Sequence, residues 1–412
     1  MPSAPAAPIA RNAGWAAPAV ALGLAATVLG LSRFGYGVLL PAMRAELGWT
    51  YAQAGLLDTA NAVGYLAGAL VCPVLMSRAG PATALRICAA VATGSLFGCA
   101  ATGSLPVLLA LRGIGGAAAA ALFVAGGLLA ARLATAAGRP GPVLGVYYAG
   151  VGPGILLTAL LAPAVLTDPG RWRFGWLLLG ALAAACAAIA GRAAVRFPAP
   201  SPAPRAAAPS SRRLGWALTA FTLFGVGYVP YATFAVAYWH QSSTGVATVT
   251  AMWALLAAAA TASGWAWRKL LTRPEYALVV MLAVVTTAVT LPLASTTTLV
   301  LAVSAALFGG AFLAVSAATT ALIRQSRPQA DWPRTLTGFT AAFGAGQVAG
   351  PVLTGQLADH VGLRGGLAAA AALLALATAA AALQRSQHHG EDQSVTAEPG
   401  ATVAANLEPT QG

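Results

Sequence analysis

The chain has 412 residues, 58% of them hydrophobic and only 8% charged, a balance that excludes an ordinary soluble domain and a disordered polymer alike. Its formal charge of +13 would suit nucleic acid, but the 23 basic residues fall mostly between apolar runs and sort themselves by side, so no nucleic-acid partner is expected. The four cysteines, Cys72, Cys88, Cys99 and Cys186, stand inside apolar runs at no metal spacing, and they predict neither a disulfide framework nor a metal site.

Twelve runs, each about long enough to cross a bilayer as a helix, are predicted at 15–40, 52–76, 82–104, 106–131, 142–166, 174–194, 214–239, 246–267, 276–294, 297–323, 335–357 and 363–384. The first is preceded by one charge, Arg11, and leads into Arg33 and Tyr36 rather than a small-residue cleavage site, so it reads as a retained anchor. Between the sixth and seventh runs lies "GRAAVRFPAPSPAPRAAAPSSRR", proline-rich with five arginines and no acid. It reads as an extended linker on one membrane face, with lipid or partner binding as the alternative. The expected organisation is an N-terminal segment at 1–14, a six-helix bundle at 15–194, the linker at 195–213, a second six-helix bundle at 214–384 and a disordered polar tail at 385–412. His388 and His389 in that tail read as solvated rather than metal-binding.

Placing the N-terminus in the cytoplasm and alternating sides puts seventeen basic residues inside and four outside, namely Arg44, Arg171, Arg173 and Arg364. Positive charge favours the inner side, so a multi-pass protein of the plasma (inner) membrane with both termini cytoplasmic is expected. The two remaining arginines, Arg33 and Arg112, lie within runs, as does a single carboxylate, Asp58. Ionisable groups inside a membrane are costly and face the protein interior, which makes these three the leading functional candidates.

A rise of 1.5 Å per residue puts each about 9–12 Å below the outer boundary, in one layer of the first half. On helical spacing Arg33 shares a face with Tyr36, and Asp58 shares one with Asn61 and Tyr65, which describes a polar cavity wall. One reading pairs Arg33 with Asp58 as glue between helices, with Arg112 capped by backbone carbonyls. The other notes that two arginines and one aspartate leave a surplus positive charge, which an anionic ligand would settle through the guanidinium fork. Asp58 is then the proton-coupling candidate, in competition with the anion for Arg33. Tyr228, Tyr231, Trp253 and Gln347 could supply the opposing wall from the second half.

The halves carry a repeat. "YYAGVGPGILLT" sets Gly150, Gly154 and Thr158 at i, i+4 and i+8, and "FGAGQVAGPVLT" sets Gly346, Gly350 and Thr354 at the same spacing. Gly35 and Tyr36 likewise correspond to Gly227 and Tyr228. Together with Pro153 and Pro351, the glycines are assigned to close helix packing and gating. "GVGPG" and "GIGG" follow no strand and are not nucleotide loops.

These motifs resemble the major facilitator superfamily: "GVYYAGVGPGI" is similar to its span-5 glycine-proline motif and "RGIGGAAAA" to its span-4 arginine-glycine motif. "SRFGYGVLLPAM", "YAQAGLLDTANAVGYLAGAL" and "FGAGQVAGPVLTGQLAD" resemble, more narrowly, the YbfB/YjiJ-like branch. The superfamily's loop motif after span 2 keeps Gly68, Arg78, Gly80 and Arg86 but has no acid. The resemblance implies an all-α membrane fold of twelve helices in two pseudo-symmetric bundles that rock around a central cavity.

The sequence thus predicts a secondary transporter working by alternating access with proton coupling, a small organic anion as preferred substrate, lipid as surroundings and a monomeric state. Multidrug-type efflux of amphipathic compounds, and a transport-dead receptor or scaffold, are the alternatives. No cofactor, metal or catalytic constellation is expected, so the chain does not read as an enzyme.

Overall fold

A computed structural model describes residues 14–194, 213–242, 245–328 and 331–397. Every regular element among them is helical: α1 (Ala16–Leu47), α2 (Tyr51–Ala79), α3 (Pro81–Ala100), α4 (Leu105–Ala137), α5 (Pro142–Thr167), α6 (Trp172–Ala193), α7 (Gly215–Gln241), α8 (Val246–Ala266), α9 (Pro274–Ala294) and α10 (Thr298–Ser326). A last stretch, Trp332–Ala397, is two helices that meet at a kink at Gly362, whose φ of 78° only glycine adopts readily. That kink divides it into α11 (332–361) and α12 (363–397).

Eleven stretches are long and apolar enough to cross a membrane, and the eleventh, Arg334–Gln387, has 54 residues. At 1.5 Å per residue that is about twice one crossing, so the break at Gly362 recovers the twelfth span. The helical backbone runs to Ala397, past residue 385 where a disordered tail is expected. The linker expected at 195–213 lies almost wholly outside the described residues, as do residues 1–13.

Local chemistry sets the boundaries. The α1–α2 turn is fixed twice, by Gly48 in the left-handed region at φ 67° and by a capping box in which Thr50 and Gln53 satisfy each other's backbone amides. The α5 span is interrupted at Gly150 and again before Ala162, giving three short helical pieces in a segment rich in glycine and proline.

Small residues let the helices approach, because apolar burial alone gives no preference for protein over lipid. Gly154 lies against Gly30 of α1, where an added Cβ would come within 2.9 Å of the Gly30 Cα. In the second half Gly350 lies against Val226 and Pro230 of α7, the equivalent helix pair. The sequence repeat is therefore a structural repeat, with α5 on α1 and α11 on α7.

α1 and α7 are the most enclosed helices, with 67% and 78% of their apolar windows buried, and they meet where Gly37 approaches the Ala232 carbonyl. α2 faces α11 through Gly55, Gly344 and Gly355, and α5 faces α8 through Gly152. Hydrogen bonds between the halves gather at the end of the molecule away from the termini and in its middle. Asp359 accepts from the Tyr51 and Ala52 amides at 2.7 and 2.9 Å, Thr59 donates to the Val348 carbonyl at 2.8 Å, Trp253 donates to Thr158 at 2.8 Å, and Gln241 meets the Tyr51 hydroxyl. Towards the termini the same faces become exposed: Leu70 on α2 and Tyr148 on α5 are each 50% exposed. The hydrogen bonds that join the halves thus close the distal end.

Candidate functional site

Asp58 and Arg112 form the one buried ion pair among the described residues, at 2.9 Å. α2 and α4 are drawn together by Gly64 and Gly68, which press against the Gly113 carbonyl and Ala117. Asn61, one turn beyond Asp58, donates to the Arg112 carbonyl at 3.2 Å and fixes the register of the two helices. The guanidinium also donates to the Ser32 carbonyl at 2.6 Å and lies beside the rings of Tyr36 and Trp176, so three elements hold it.

The second carboxylate oxygen of Asp58 meets Thr233 of α7, Oγ1 to Oδ2, at 2.5 Å. Asp58 thus bonds its own half through Arg112 and the other half through Thr233. The Thr233 hydroxyl also lies 2.9 Å from the Val229 carbonyl, and it has one hydrogen for two acceptors. Protonating Asp58 would supply a second hydrogen, leaving Thr233 free to donate to Val229.

Arg33 stands apart. Its NH2 donates to Gln347 Oε1 of α11 at 2.8 Å, and its guanidinium carbon lies 5.6 Å from the Tyr65 ring centre and 5.9 Å from that of Tyr228. It is half-buried and has no carboxylate partner among the described residues. Two expectations are corrected here: Arg33 and Asp58 do not pair, and Asp58 does not compete with an anion for Arg33, because the cation that Asp58 bonds is Arg112. The surplus positive charge survives the correction and is localised on Arg33.

Of the residues expected to line a binding site, the fold brings Arg33, Tyr65, Tyr228 and Gln347 together at the junction of the halves. Tyr228 belongs to a run of nearly parallel rings, tilted 7° from Phe343 and 19° from both Phe224 and Phe312. The other candidates sit elsewhere. Tyr36 is fully buried with its hydroxyl on the Ala54 carbonyl at 2.7 Å, Tyr231 bonds Ser304 at 2.6 Å, and Trp253 is spent on Thr158. Arg112 and Asn61 are 2% and 4% exposed, buried beneath the junction rather than open to it. The Pro351 carbonyl packs against Gly55, and Pro153 sits in α5 between the two glycines that approach α8 and α1.

Sequence reasoning missed Thr233, Ser32 and Asp359. Thr233 and Ser32 look like ordinary small helix residues, and a backbone carbonyl partner leaves no signal in residue type. Asp359 was visible as a lone acid near a helix end.

The family model described as "Uncharacterised MFS-type transporter YbfB" matches residues 25–383. A protein of Deinococcus radiodurans named "Putative sugar efflux transporter" is 36% identical over 122 residues, which are 26% of this chain and 28% of that protein. Among solved structures, an aspartate-to-alanine mutant of the nucleoside transporter NupG is similar with a TM-score of 0.69 at 13% identity, covering 90% of this chain and 99% of the other. A bacterial homologue of the human lysosomal transporter Spinster, in an inward-facing and occupied conformation, has a TM-score of 0.64 at 17% identity, covering 90% and 96%. At those identities the likeness attests the fold, a multi-pass helical membrane protein of the major facilitator type. With the family matched over most of its length, the chain belongs to the YbfB-type family of major facilitator superfamily transporters and is a secondary transporter, not an enzyme.

Proposed function

We propose that the substrate is a small organic anion bound at Arg33, carried by alternating access and coupled to a proton at Asp58. The supporting observation is a half-buried guanidinium at the junction of the halves that has no carboxylate of its own among the described residues. An uncompensated cation in low dielectric favours an anionic partner, and the guanidinium fork suits carboxylate or phosphate oxygens. Tyr65 belongs to the first half, and Tyr228 and Gln347 to the second. A ligand on Arg33 therefore touches both moving bodies, which gives it differential affinity for the closed arrangement.

Asp58 adds the coupling. Its bond to Thr233 exists only while the halves meet at the distal end; parting them there removes that donor and lets water reach the carboxylate. The bias of basic residues supports cytoplasmic termini, and on that orientation proton entry at Asp58 is from the outside.

The test is thermal stability of the purified full chain across organic anions, amphipathic cations and sugars, beside Arg33→Gln. Specific ligands raise the melting temperature by mass action. Stabilisation of the wild type by anions and loss of that effect in Arg33→Gln supports the reading. Stabilisation by sugars or amphipathic cations alone, equal in both proteins, overturns it in favour of sugar or drug-type efflux.

A further inference from the structure

Away from the junction of the halves, α3 and α6 enclose a lateral groove of about 500 Å³. Its walls follow the helical repeat: Arg86, Ala89, Ala90 and Thr93 on one side, and Ala184, Ala187, Ala188, Gly191 and Arg192 on the other. Between the two arginines at its terminal end and Thr93 deeper in, every lining side chain is alanine or glycine, so neither helix fills the space. Ile87, Val91 and Ile189 beside it are 46%, 41% and 46% exposed, which marks this face as one turned to lipid.

The groove is chemically lopsided. Arg86 uses its Nε on the Gly191 carbonyl at 3.2 Å, its terminal amino groups make no hydrogen bond among the described residues, and Arg192 is exposed. Neither pairs with a carboxylate among the described residues. Thr93 is buried, 9% exposed, and its hydroxyl has no hydrogen-bond partner among the described residues. A buried hydroxyl costs free energy unless it is bonded, and here the normal local partner, a carbonyl one turn back, is not taken.

We propose that this groove binds one anionic phospholipid. Its phosphate bridges Arg86 and Arg192, an acyl chain lies along the alanine floor, and an ester carbonyl accepts from Thr93. The charge argues for the lipid over the linker that follows α6: residues 195–213 carry arginines and no acid, and like charges would repel them from this mouth. Basic pockets between spanning helices at a membrane face recognise anionic headgroups by this combination of charge and apolar slot.

The experiment titrates the purified full chain with phosphatidylglycerol, phosphatidylcholine or inorganic phosphate, reading melting temperature and bound lipid by native mass spectrometry. Phosphatidylglycerol alone should stabilise the wild type. Arg192→Gln, an exposed change that leaves the fold intact, should raise the half-saturating lipid concentration about fivefold. Ala188→Phe keeps both charges but fills the slot, and should abolish retention. Equal effects of the two lipids, wild-type binding by both variants, or equal stabilisation by inorganic phosphate would overturn the proposal. So would phosphatidylglycerol binding that emerges only after residues 391–412 are removed, since the acid-bearing tail would then be the occupant.

Discussion

Asp58 and Arg112 are nearly sealed from solvent, so the two halves of their ion pair are not equivalent to lose. Arg112→Gln leaves a buried carboxylate without its cation and should destabilise the protein by about 3–5 kcal/mol, read as a fall in melting temperature. Asp58→Asn paired with Arg112→Gln removes both charges and should recover much of that loss; a double variant as unstable as Arg112→Gln alone would show that packing, not charge, dominates. Asp58→Asn by itself should separate coupling from movement. Transport driven by a proton gradient is expected to vanish while exchange of substrate across vesicles persists, and loss of both would make Asp58 structural. The three intramembrane charges were legible in the sequence because each is rare and costly there. Which arginine takes Asp58 was not, because helical spacing gives the face of a residue on its own helix and says nothing of the rotation of one helix against another.

The glycines carry the element-level order. Gly154 in α5 and Gly350 in α11 occupy equivalent places against α1 and α7, and a side chain at either would collide with backbone, which cannot swing aside. Gly154→Leu should therefore cost about 1–3 kcal/mol or prevent assembly, measured by melting temperature and the monodisperse fraction in detergent. Gly145→Ala is the control, since nothing lies within 4 Å of an added Cβ there and alanine favours the helix by about 1 kcal/mol. Equal damage from the two changes would contradict the packing role. The sequence disclosed these glycines through their repeated spacing, and it disclosed most span boundaries through apolar length. It could not disclose how tightly α12 follows α11 across a single-residue kink, because the φ of 78° at Gly362 leaves no mark beyond a glycine among many.

For the whole molecule, one carboxylate has a larger part than its position at a helix end suggests. Asp359 of α11 caps the first turn of α2 in the opposite half, where free amides and the helix dipole favour a negative charge. Arg44, whose guanidinium carbon lies 3.8 Å from the Tyr51 ring centre, and Gln241, bonded to the Tyr51 hydroxyl, gather on the same turn. Together with Thr59 and Thr233 they close the distal end, while the facing surfaces near the termini stand exposed. Asp359→Ala removes an exposed cap worth about 0.5–2 kcal/mol, and so should move the population towards a state open at the distal end. Spin labels report this directly once the four buried cysteines are replaced by alanine. One pair, at the exposed positions Ala45 and Thr296, spans the distal end; a second, at Ser77 and Lys269, spans the terminal end. Alternating access requires opposite responses, the distal pair lengthening by several ångströms as the terminal pair shortens. Lengthening at both ends would mean that Asp359 merely holds the halves together, and no change at either would assign the closure to helix packing alone.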